Sequence, residues 1–200
     1  MVANLATDVF QRAIQSTKEF AVSVVDTGKE FYASMSNVQA LSGATGADFE
    51  ALTAKAKEMG AATRYTASEA ADAMGYMALA GWDAGQMIDG INPILNLAAA
   101  NNMDLATASD IVTDDLTAFG LEAKDAAHFS DVLATTSAKS NTNIEMMGEA
   151  FQYAGSVCGS MGYSIEDAAL AIGTMANSGI KASQAGTTLR SIITRLATDA

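Results

Sequence analysis

The chain has 200 residues and a formal net charge of −12, and half of its residues are hydrophobic while only 6% are aromatic. That length supports one domain with a real core, assembled from small side chains. One cysteine rules out an internal disulfide, one proline argues against a sandwich of many short strands, and abundant alanine, the strongest helix former, predicts an all-α multi-helix bundle of Ala- and Gly-rich helices.

Taken in order, the chain opens with apolar or small residues alternating at steps of four and three: Phe10, Ile14, Thr17, Ala21, Val24, Gly28, Phe31, Met35 and Val38. This is the seam of a long coiled-coil-like helix, which sets residues 1–42 apart from a helical core region over 43–200. Two readings share the seam. Copies could pair through Phe10, Ile14, Val24, Phe31, Met35 and Val38, or the helix could lie on a bundle as an ordinary amphipathic element. Asp8, Gln11, Arg12 and Gln15 interrupt any leader-like apolar run.

The composition of Leu41–Gly46 predicts a turn. Thr45 with Asp48 reads as the start of a second helix with Phe49, Leu52 and Ala56 on its apolar edge and Gly60 at its end. Thr66 with Glu69 is a better capping box for a helix through Ala80, stopped by Gly81, with Met74, Met77 and Ala78 inward. Trp82 reads as a plug over the following joint, with a partner anchor as the alternative. Pro93 predicts an interruption or a start in the apolar stretch from Met87 to Ala98, and Asn101-Asn102 breaks the pattern again.

Asp104 is positioned to cap a helix containing Ile111, Val112, Leu116 and Phe119, with Gly120 after it. The next spans about Leu121 to Ala138, with Ala127, Phe129, Val132 and Leu133 as core candidates. Thr142 with Glu145 restarts a helix that buries Met146, Met147, Phe151 and Ala154, and Gly155, Gly159 and Gly162 fall in or after its last turns. Ser164 opens a helix that stops at Ser178-Gly179. Leu189, Ile192, Ile193 and Leu196 then form the stripe of a last helix, with Arg190 and Arg195 facing water.

An internal echo runs through this text. Ala70, Ala71, Ala73, Gly75, Met77, Ala78 and Gly81 return at unchanged spacing as Ala168, Ala169, Ala171, Gly173, Met175, Ala176 and Gly179. Duplication and convergence of Ala/Gly-rich helices both account for it. Because glycine within a helix costs roughly 1 kcal/mol against alanine, Gly75 and Gly173 mark expected close approaches of a neighbouring backbone.

Chemistry is sparsely represented. His128 and Cys158 are the only histidine and cysteine, too few for a zinc site. Asp110, Asp114 and Asp115 read as a solvated acidic face, since they lack the alternating oxygen ligands of a calcium loop. No phosphate-cradling glycine motif and no nucleophile turn is present, so no catalytic, cofactor-binding or metal-binding residue is assigned. Between Tyr65 and Ala123 there is no Lys or Arg, so nucleic-acid binding is not expected of this segment. The Ile91–Ala100 run is too short to span a membrane.

The most distinctive wording is Gly179-Ile180, then Ala185-Gly186-Thr187, then Leu189-Arg190, a short polar step between two helices. It resembles the core region of the phage tail tape measure proteins of the TP901 type. Ala80-Gly81, Leu97-Ala98, Asp104-Leu105, Phe119-Gly120 and Met161-Gly162 before Ser164-Ile165-Glu166-Asp167 carry the resemblance across roughly Val38 to Ala197. Its family-motif positions are Gly81, Gly120, Gly162, Gly179, Ile180, Gly186, Thr187, Leu189 and Arg190.

The resemblance implies a structural protein, not an enzyme: a length ruler and scaffold for tail tube assembly, without cofactors, with tail tube, tail assembly chaperone and tail tip proteins as partners. It implies residence in the virion tail lumen, and in the host bacterial cytoplasm during assembly. The proteins it resembles are much longer, so a segment truncated at its C-terminus is expected. A helical interaction or oligomerisation module of a bacterial secreted or pore-forming protein is the alternative.

Overall fold

The computed structural model describes residues 27–198, and among these the chain is helical without strands. A first helix, α1, covers 27–42. It is followed by α2 (Ala47–Ala62), α3 (Ala67–Leu79), α4 (Ala84–Asn101), α5 (Leu105–Phe119), a 3-10 turn (Ala123–Asp125), α6 (Ala126–Lys139), α7 (Ile144–Ser160), α8 (Ile165–Asn177) and α9 (Ala182–Thr198).

One kind of joint recurs, and its cause is local. At the ends of α3, α4, α5, α7 and α8 a left-handed residue (Gly81, Asn102, Gly120, Gly162 or Gly179) turns the chain. The residue after it donates its backbone N–H five residues back: Trp82 to Met77, Met103 to Ala98, Leu121 to Leu116, Tyr163 to Cys158 and Ile180 to Met175, at 2.8–3.1 Å. These are Schellman motifs, which satisfy carbonyls orphaned at a helix end and bring that residue back against the last turn. A capping side chain follows at once in three of them. Asp83, Asp104 and Ser164 accept from the backbone N–H of Gln86, Thr107 and Asp167. Each joint therefore ends one helix and starts the next within about four residues.

The core is made by close approach. A Cβ on Gly186 of α9 would sit 2.2 Å from the Ala150 carbonyl oxygen of α7, and one on Gly159 of α7 about 3.0 Å from the Phe119 backbone of α5. Gly148 and Gly155 of α7 likewise admit Ile111 and the Ala118–Phe119 pair. Phe151 of α7 stacks edge-on with Phe119 at 5.4 Å and meets Phe129 of α6 at 6.0 Å, which locks α5, α6 and α7 together. Side-chain hydrogen bonds contribute little to this assembly. Among the described residues after α1, only the His128–Glu166 and Asn141–Asn177 bonds join residues more than four apart.

The echo in the sequence is also structural, and it is longer than the sequence suggests. Shifted by 98 positions, α3 becomes α8 (Ala67 to Ile165) and the start of α4 becomes the start of α9 (Ala84 to Ala182). Capping boxes open both α3 and α8, at Thr66/Glu69 and Ser164/Asp167, and Gly81 and Gly179 close them at φ of 88° and 89°. Phe31 and Met35 of α1 are buried like Phe129 and Leu133 of α6, and Leu52 and Ala56 of α2 like Ala150 and Ala154 of α7. Gly75 faces Asn37 and Leu41 of α1, and Gly173 faces Thr136 and Ser140 of α6. Two similar four-helix units thus flank α5, which packs on α3 and α4 of the first and on α7 of the second.

Several local expectations are corrected. Gly46, not Thr45, stands at the start of α2, and Gly60 lies inside that helix, where its missing Cβ leaves room for the Ala67 backbone at 2.5 Å. Pro93 sits inside an unbroken α4. The carbonyl that loses its donor there belongs to Asp89, on the side carrying exposed Asn92 and Asn96, where water can replace it. In α6 Phe129 and Leu133 are buried and Val132 half-buried as expected, but after the 3-10 turn Ala126 takes the inward place and Ala127 is exposed. Asn143, not Thr142, caps α7, and Met146 faces outward. The step at 182–190 is not a linker: Ala182 begins α9, and Gly186 is a helix-packing residue. Gly75 and Gly173 meet side chains of a neighbouring helix instead of its backbone.

The described half of the N-terminal seam faces inward. Phe31, Met35 and Val38 are buried within the chain's own core, with Lys57 of α2 over the Phe31 ring, so these three are not available for pairing between copies. Phe10, Ile14 and Val24 lie outside the described residues. Trp82 is the plug expected of it, packed on Gly90 of α4.

Two alanine substitutions with opposite signs test this packing. At Gly186 the obstacle is backbone, which cannot swing aside, so Gly186→Ala should destabilise by about 1–3 kcal/mol or more. At Gly75 the nearest atoms to a new Cβ are side-chain atoms at 3.5 Å and 3.8 Å, so Gly75→Ala should stabilise by roughly 0.5–1 kcal/mol. Urea unfolding of the two variants beside the parent reads both signs in one experiment.

Candidate interaction surface

The singled-out positions divide by physical role. Gly81, Gly120, Gly162 and Gly179 are turn-makers: all four have positive φ and open space where a Cβ would stand, so glycine is needed for backbone conformation and not for room. Ile180 is the apolar clamp that follows Gly179, half-buried on the core. Gly186 and Leu189 face α7 and the core, whereas Thr187 and Arg190 point to solvent. The structure therefore gathers no common site from them; it distributes them along the helix joints and one helix contact. The other glycines that meet backbone, Gly60 and Gly159, carry no local signal of it, because helical glycine looks the same in sequence whatever lies across from it.

Two concave regions bring polar groups together. Between α5 and α7 a cavity of about 180 Å³ is lined by Asp110, Asp114, Asp115, Glu145 and Glu149 with Thr107, Ile111, Gly148 and Gln152. Here the expectation of a solvated face fails for one member. Asp115 is only 2% exposed and its Oδ2 has no hydrogen-bond partner. Burial, and then the neighbouring charge of Asp114, pushes its carboxyl well above the usual range. Asp110 shifts upward for the same reasons, burial first and then Asp114 and Asp104. The one-residue offset of Asp115 from Asp114 places it on the inward side of α5, beside buried Val112 and Leu116.

The second region is an open groove of about 540 Å³ between α6 and α8, lined largely by Val132, Thr135, Thr136, Leu170 and Thr174. His128 and Glu166 bridge it on the surface, and the Asn141 N–H donates to Asn177 Oδ1 at 2.8 Å. His128 thus lies on an exposed contact with Glu166 at the edge of the groove. Cys158 is buried, and its burial raises the thiol further from the reactive thiolate. Among the described residues no three His, Cys, Asp or Glu side chains are grouped so that they could hold a metal ion. Nor, among those residues, is any helix long and apolar enough to cross a membrane.

What the arrangement can do chemically is hold helices together and present surfaces. Comparison with known proteins agrees with that character. Residues 53–200 match the family described as Phage-related minor tail protein. The chain is 43% identical over 178 residues to a protein of Pneumococcus phage Dp-1 named "Tape measure protein", covering 89% of this chain and 16% of that protein. It is 33% identical over 178 residues to a "Probable tape measure protein" of Escherichia phage P2, covering 88% of this chain and 22% of that protein. It therefore spans about a sixth to a fifth of the curated relatives it matches. No solved structure matches it.

The burial of Asp115 makes stability depend on pH. A carboxyl whose folded pKa lies above its unfolded value takes up a proton on folding, so its contribution is fully present below the ordinary aspartate range and is lost as pH rises through the raised folded value. Asp115→Asn removes that dependence. Urea midpoints of parent and variant should diverge as pH rises from about 4 to 8, the variant being more stable at neutral pH by on the order of 1–3 kcal/mol. Parallel pH profiles would mean that Asp115 is solvated in the folded protein.

Proposed function

We infer the function from family membership: the chain belongs to the phage-related minor tail proteins. It is a structural segment of a tail tape measure, a protein that sets how far tube subunits polymerise and scaffolds their assembly. The single observation that carries this reading is identity of 43% across 89% of the chain with a tape measure protein. The protein works in the virion tail lumen after assembly in the host cytoplasm, in contact with tail tube, tail tip and tail assembly chaperone proteins. Its role is architectural and needs no reacting group. A secreted or pore-forming interaction module is not favoured, because nothing in the relatives' names points to one.

The physics of a ruler is that sequence length converts to spatial length. An extended helix advances about 1.5 Å per residue, while a compact globule grows only as a small power of chain length. Among the described residues the longest helix, α4, has 18 residues and spans roughly 27 Å. As folded, this segment is a module built of short, closely packed helices, and the measuring is done by the protein as a whole. Gly81, Gly120, Gly162 and Gly179 maintain that module by closing its joints, and Gly186 by admitting the backbone of α7.

In a phage whose tape measure contains this segment, removing 98 residues in frame from the portion that lies extended in the tube should shorten the tail by about 150 Å. Electron microscopy of purified particles measures that directly, and tails of unchanged length would overturn the ruler reading. Removing the same number from within the folded segment should instead abolish tail assembly, because α5 and α7 could no longer close the core.

A further inference from the structure

The 98-position register exposes a difference between the two units. Ala73 and Met77 of α3, with Ile94 and Ala98 of α4, are completely buried, and α5 lies across those two helices. Their counterparts on α8 are Ala171 and Met175, which are only half-buried. The counterparts on α9 are Ile192 and Leu196, which are 47% and 61% exposed. All four positions stay apolar, and one becomes larger. Among the described residues, nothing lies across α8 and α9 as α5 lies across α3 and α4.

We propose that this α8–α9 face is the docking site for a connecting helix of the α5 kind, supplied by the same long polypeptide, so that four helices and one connector form an extendable repeat. Burial argues for it first, because the face differs from its counterpart chiefly in lacking the cover that α5 provides. Charge argues for it second. Between Leu105 and Phe119, α5 carries Asp110, Asp114 and Asp115 and no Lys or Arg, whereas α9 carries exposed Arg190 and Arg195 and no acidic residue. An acidic connector is drawn to that helix. Size argues for it third, since the chain spans only 16% and 22% of its relatives, which leaves each of them several times the length of one such repeat. A second copy cannot supply its own α5, which is already held between α4 and α7. The inference does not depend on the ruler reading, and it can fail while that reading stands.

The probe is the chain's own connector. The sequence Met103–Glu122 is appended after Ala200, which preserves the 98-position register, and hydrogen exchange is compared between the extended and parent chains. Amides of α8 and α9 should slow by about tenfold or more in the extended chain, which remains monomeric, and its unfolding midpoint should rise. Ile192→Asp with Leu196→Asp should cancel both gains while leaving the parent's stability nearly unchanged, because these side chains are exposed there. Aspartates at the appended helix's copies of Val112 and Leu116 should cancel them equally. Unchanged exchange in the extended chain overturns the proposal. So does a concentration-dependent dimer of the parent chain that Ile192→Asp dissociates, since the face would then be covered by a second copy.

Discussion

The structure depends on backbone meeting backbone around α7. With few aromatic side chains to fill space, buried area has to come from short interhelical distances, and those distances are set where a side chain is missing. Gly186 lets α9 rest on the Ala150 carbonyl, and Gly159 lets the end of α5 rest on α7. Once those two contacts are made, Ala150, Ala154 and Cys158 are deep enough to be fully buried although none is large. The Phe119, Phe151 and Phe129 cluster then joins α5, α6 and α7.

The joints complement this contact. A Schellman end followed by a capping side chain turns the chain sharply with its backbone groups satisfied, so neighbouring helices can lie against each other over their full length. Because each joint also folds an apolar residue back onto the helix it closes, Trp82, Met103 and Ile180 belong to the core as well as to a turn. The outcome is a module of nearly independent local decisions, repeated after 98 positions, and repetition of this kind suits a protein whose relatives are long.

Polar groups without partners are not spread evenly over the two units. Ser109 and Asp115 of α5 and Ser130 of α6 are the buried side chains lacking a hydrogen bond among the described residues, and two of the three belong to the connecting helix α5. Desolvation cost is therefore concentrated at the junction.

Read alone, the sequence determined the helical class, the capping box at Thr66, the cap at Asp104, the helix start at Ser164, the turns at Gly81, Gly120, Gly162 and Gly179, the inward place of Trp82 and the resemblance to tape measure proteins. These are legible because each is written within a few neighbouring residues, as a side chain able to reach a backbone N–H or a glycine able to turn left-handed. Only the tertiary structure decided which glycines are contacts, that Pro93 can remain inside α4, that Phe31, Met35 and Val38 face their own chain, and that Asp115 is buried while Asp114 is not. Those outcomes are set by what lies opposite, and a helix's text does not name its neighbour. The seven-residue echo was visible in the letters. Its extension to whole four-helix units was not, because Phe31 and Phe129, or Leu52 and Ala150, share a place in space more than a wording.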